Sequence, residues 1–119
     1  MLLAAAFIVF ATGCAHSYLG ERFLLVRLLK RDNLPRLFGG TAFTAGTLRF
    51  AWHLTTVAWW AMALLLVFAS RAELSTATVL RVIGGAALVS AAFPIVFTRG
   101  RHLSWVAFLI VAALVFLAA

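Results

Sequence analysis

A chain of 119 residues that is 66% hydrophobic and only 11% charged cannot hide its apolar side chains in a water-soluble fold, where about a quarter of residues are charged. Its net charge of +7 lies beside hydrophobic runs, which points to anionic lipid headgroups as the partner and excludes nucleic acid. The single cysteine, Cys14, excludes an intrachain disulfide and any multi-cysteine metal site.

The fold expected is all-α: an integral membrane four-helix bundle in a single transmembrane domain over residues 1–119, with spans near 2–19, 43–69, 71–97 and 103–119. Each run is close to the roughly 20 residues a helix needs to cross a bilayer. In the first, the polar side chains are Thr12, His16, Ser17 and Tyr18, all toward its C-terminal end. Ala11-Thr12-Gly13-Cys14 places small residues before a cysteine, as a lipoprotein signal does. No Lys or Arg precedes the run, however, so span one is read as a retained helix; Cys14 is expected to be a buried, inert thiol.

Residues 21–31 change character. On a helical wheel Arg22, Arg27, Lys30 and Arg31 share one half, and Leu24, Leu25, Leu28 and Leu29 the other. Such a short basic amphipathic segment lies in the headgroup plane or continues span one into water. Asp32, Asn33 and Pro35 end it, and Gly39-Gly40 make a loop. Arg22, Arg27, Lys30, Arg31 and Arg36 are expected to contact anionic lipid.

In span two Arg49, His53, Thr56 and Trp60 follow i, i+4, i+7, i+11 spacing and form one stripe, which should face other helices rather than lipid. Ser70 and Glu73 fit a capping box and predict that span three begins at residue 71. That span carries Arg81, which snorkels outward or pairs inside the bundle, and the small residues Gly84, Gly85, Ala86, Ala87, Ser90 and Ala91. Small residues let helices approach closely in lipid. Basic residues concentrate in the first connection and recur as Arg99 and Arg101 in the third, against Arg71 alone in the second. The first and third connections are therefore expected to be cytoplasmic, with both termini outside the cytoplasm and the protein in a bacterial inner membrane.

This orientation brings His16, His53 and His102 to one side of the membrane. Packing a span-one face of Thr12, Gly13, His16 and Gly20 against the Arg49 stripe gathers a polar cluster of Glu21, Arg49, Trp52, His53 and His102 at the cytoplasmic end. Three chemistries suit it. His16 and His53 could bind a cofactor, as an axial pair for haem b or as ligands of a divalent metal, since neutral imidazole is a common ligand. The cluster could instead be a proton or anion site with Glu21 as counter-ion, or a set of hydrogen bonds between helices. The spacing positions no Ser/His/carboxylate set convincingly, and no phosphate-binding glycine loop occurs, so the expected role is a non-enzymatic binding or accessory component. A haem- or metal-binding electron-transfer protein and a small oligomeric transporter or channel are the alternatives. Either fits a homo-oligomer or a larger membrane complex.

In length and span count the chain resembles the small multidrug resistance transporters, four-helix proteins that work as dimers. That family carries a glutamate in the middle of its first span, and this sequence has none there. Gly100-Arg101-His102-Leu103 is similar to a short motif of succinate dehydrogenase membrane anchors, which have three spans. No family follows from either resemblance.

Overall fold

The computed structural model describes residues 1–119 and is all-helical, with four helices and no strand. Helix α1 covers Leu2–Leu28, α2 Ala42–Ser70, α3 Thr76–Thr98 and α4 Ser104–Leu117. The first three are long and apolar enough to cross a membrane, so the chain is an integral membrane protein. Helix α4, at 14 residues, is about 21 Å long, short of a hydrocarbon core of roughly 30 Å.

The basic segment does not lie apart from span one. Gly20 keeps right-handed helical dihedrals (φ −60°, ψ −48°), and the chain runs on through a π-helical stretch, Gly20–Leu25, to a last α turn, Val26–Leu28. The wider π turn shifts the wheel. Leu25 becomes almost completely buried while Leu24 stays exposed, and the helix stops at Leu28, before Lys30 and Arg31.

The start of α3 also differs from expectation. Helix α2 continues to Ser70, whose hydroxyl donates to its own Val67 carbonyl (2.7 Å). Ser75 is the residue with the extended backbone an N-cap requires (φ −99°, ψ 165°) and accepts from the Thr78 N–H at 3.1 Å. Span three thus begins at Thr76 rather than 71. It ends at Thr98, where Arg99 (φ 54°) and Gly100 (φ 74°) turn left-handed.

The helices pack in chain order: α1 on α2, α2 on α3, α3 on α4, with no contact between α1 and α3 or α4. The result is a layer one helix thick, 51 × 32 × 14 Å between Cα atoms. Small residues set its close approaches. A Cβ on Gly46 would run into the Phe97 carbonyl, and one on Gly84 would lie 2.9 Å from the Phe116 ring; Ala87, Ser90 and Ala91 are buried beside them. Gly85 differs, because nothing lies within 4 Å of the Cβ it lacks. Cys14 is exposed on the surface of α1 rather than buried.

Gly46→Leu should therefore lower stability in detergent by about 1–3 kcal/mol, the usual cost of overpacking against groups that cannot yield. Gly85→Leu should leave it unchanged or slightly raised. Equal losses in thermal unfolding of the two variants would contradict this packing.

Candidate polar site between α1 and α2

The seam between α1 and α2 opens for two indoles. A Cβ on Gly20 would overlap the Trp52 ring, and one on Gly13 would sit 2.8 Å from Trp60 Nε1. With Trp52 lying across Gly20, the His16 and Trp52 rings stack at 4.3 Å between centroids and 5° between planes. Each bonds the other's backbone: Trp52 Nε1 donates to the His16 carbonyl (3.1 Å) and His16 Nε2 to the Trp52 carbonyl (3.3 Å). Trp59 meets the His16 ring edge-on at 5.1 Å. Further toward the N-terminus of α1, Trp60 Nε1 donates to the Phe10 carbonyl (3.3 Å).

Toward the basic connection the seam becomes ionic. Arg49 Nη2 lies 3.0 Å from Glu21 Oε1, and His53 Nε2 donates to Glu21 Oε2 at 3.3 Å. The other ring nitrogen, His53 Nδ1, is 2.8 Å from Ser17 Oγ; Ser17 Oγ is 2.7 Å from Thr56 Oγ1, which donates to the Gly13 carbonyl at 3.3 Å. With His53 Nε2 facing the carboxylate, the Ser17 and Thr56 hydroxyls carry a hydrogen-bonded chain from Nδ1 to the Gly13 carbonyl. Interhelical hydrogen bonds in lipid contribute about 0.6 kcal/mol each on average, so the seam rests on many modest terms.

The expected stripe Arg49, His53, Thr56 and Trp60 faces α1 throughout. On α1, Gly13, His16 and Gly20 face it, while Thr12 is exposed and bonds its own Ile8 carbonyl (2.7 Å). Glu21, Arg49 and His53 form one group, with Trp52 beside it. His102 stands elsewhere, in the α3–α4 turn, with Nδ1 2.9 Å from Ser104 Oγ and its ring packed against Phe50 (4.9 Å) and Phe43 (5.9 Å). Contrary to expectation, Ser17, His53 and Glu21 do line up as hydroxyl, imidazole and carboxylate; the position of Ser17 four residues before Glu21 is the signal that places both on one face. Phe93 and Phe97 of α3, at 6.3 and 6.1 Å from the His53 ring, are members the sequence reading passed over.

His16 and His53 have different partners: one is clasped to Trp52, the other spans Ser17 and Glu21, and a haem or divalent metal bound by both would replace those contacts. No group of three His, Cys, Asp or Glu side chains is close enough to hold a metal. Arg49 and Glu21 side chains remain 33% and 35% exposed, and Arg49 Nε is buried with no partner. Among the basic residues, Arg22 bonds the Tyr18 hydroxyl (2.9 Å), Arg27 is exposed, and Lys30, Arg31 and Arg36 line a polar hollow of about 350 Å³ in the α1–α2 connection.

No known protein family matches the chain, and no curated protein or solved structure matches it either.

The Gly20–Trp52 contact is directly testable. Gly20→Ala should destabilise the protein, and adding Trp52→Leu should recover part of the loss, because residues in contact are not additive. Strict additivity of the two changes in thermal unfolding would contradict the contact.

Proposed function

We propose that the protein is a non-enzymatic, multi-pass component of a bacterial inner membrane that binds its ligand or partner through Glu21, Arg49 and His53 at the cytoplasmic end of the α1–α2 seam. The observation that carries this reading is the open third of the Arg49 and Glu21 side chains, in a seam where Trp52, Trp60 and Thr56 are closed by backbone carbonyls. The unpartnered Arg49 Nε supports it, since an unused buried donor costs about 1–3 kcal/mol. Lys30, Arg31 and Arg36, with Arg22 and Arg27, hold this end against anionic headgroups. Helix α4 crosses as a fourth, short span: 103–119 carries no charge, and a short apolar helix is accommodated by local thinning of the bilayer. Both termini then lie outside the cytoplasm.

A single layer of helices encloses no pathway, so a transport role would need several copies around it. A photo-crosslinking amino acid at Ala45, one turn before Arg49, should give a discrete adduct in membranes where the same probe at Val111 of α4 gives none. The adduct should vanish in Glu21→Leu/Arg49→Leu/His53→Leu, a replacement that buried ionic clusters often tolerate without unfolding. An adduct that persists in that variant would overturn the proposal. A Soret band in the purified protein, lost in both His16→Ala and His53→Ala, would put haem ligation in its place. A reporter fused after Ala119 should be active only outside the cytoplasm; cytoplasmic activity would overturn the orientation.

A further inference from the structure

Beside the polar seam, α2 and α3 leave between them an apolar groove of about 510 Å³, with Trp60 of the seam on its wall. It runs from Phe68 and Thr78 near the α2–α3 turn to Val57 and Val89 near the middle of both helices. Eleven residues of helix rise about 16 Å, close to half of a hydrocarbon core of roughly 30 Å. The groove is thus as long as one leaflet is deep, in the leaflet opposite the basic connection. Gly85 leaves room in it, with nothing within 4 Å of the Cβ it lacks.

One charge lies in this apolar lining, Arg81. The protein's ion pairs join Arg49 and His53 to Glu21, and no carboxylate lies within 4 Å of Arg81. It sits five residues in from the first residue of α3, about 8 Å below the helix end, within reach of the headgroup level for a long side chain that snorkels. An unpaired cation at the outer end of an apolar slot one leaflet deep is complementary to an amphiphile with an anionic head and a long apolar chain.

We propose that the α2–α3 groove binds an anionic phospholipid, with one acyl chain along the slot over Gly85 and the phosphate on Arg81. The assignment is independent of the role given to the Glu21 cluster. Zwitterionic lipid fits the slot equally well, so the discrimination comes from Arg81. One arginine near an anionic headgroup supplies a preference of about fivefold.

The test is native mass spectrometry of the full chain from detergent equilibrated with equimolar phosphatidylglycerol and phosphatidylcholine of matched acyl chains. The wild type should retain one lipid per chain and favour phosphatidylglycerol about fivefold. Arg81→Gln should remove the preference, Arg71→Gln in the adjacent turn should keep it, and Gly85→Leu, whose added Cβ has no protein atom within 4 Å, should abolish retention of both lipids. Circular dichroism checks that each variant keeps its helices. Retention of neither lipid by the wild type, a preference that survives Arg81→Gln or is lost in Arg71→Gln, or lipid still held by Gly85→Leu would each overturn the assignment. So would a dimer that Gly85→Leu dissociates, since a second copy would then fill the groove.

Discussion

Trp52 lies on Gly20, and the polar half of the molecule follows from that contact. In lipid, a polar side chain without a protein partner finds no water to replace it. The flat indole on a bare glycine lets α1 and α2 approach until the Trp52 indole N–H reaches the His16 carbonyl and the His16 ring N–H reaches the Trp52 carbonyl. At that spacing the serine, threonine and histidine side chains of the two helices bond directly. Glu21, one residue past Gly20, meets Arg49 and His53. The ion pair and hydroxyl chain are thus consequences of a steric fit.

The other interfaces use the same device with no side-chain hydrogen bond between the helices. Gly46 and Gly84 admit the Phe97 carbonyl and the Phe116 ring, and the helices continue side by side. A one-helix layer exposes two broad apolar faces to lipid, as large exposed side chains such as Phe7, Val96 and Leu114 reflect. Chemistry can then gather only in seams between neighbours. The α1–α2 seam is polar, and the α2–α3 seam is an apolar slot with one arginine.

Much of this was legible in sequence. The spans are visible as uncharged runs, and the i, i+4, i+7, i+11 spacing from Arg49 to Trp60 marks the face of α2 that meets α1. Thr12 was harder, because a threonine in an apolar helix can satisfy its hydroxyl on the preceding turn, as it does on Ile8, and need face nothing. Ser70 and Glu73 imitate a cap. An N-cap requires an extended backbone, and here an unbroken apolar helix holds Ser70 helical, so Ser75 takes the role. The placement of His102 was not legible. In a closed bundle it would approach His16, whereas in an open layer it lies across α2, against Phe43 and Phe50. Periodicity shows which face of a helix is apolar but says nothing about which non-adjacent helices touch.

The central claim is that Glu21 joins the two helices through Arg49 and His53, and solid-state NMR on protein labelled at the Glu21 carboxyl carbon and the Arg49 guanidinium nitrogens, in lipid bilayers, measures it directly. A carbon–nitrogen separation of about 4 Å or less, that of an ion pair, is the result this account requires. A separation beyond that reach, with Arg49 directed to the headgroups, would contradict it.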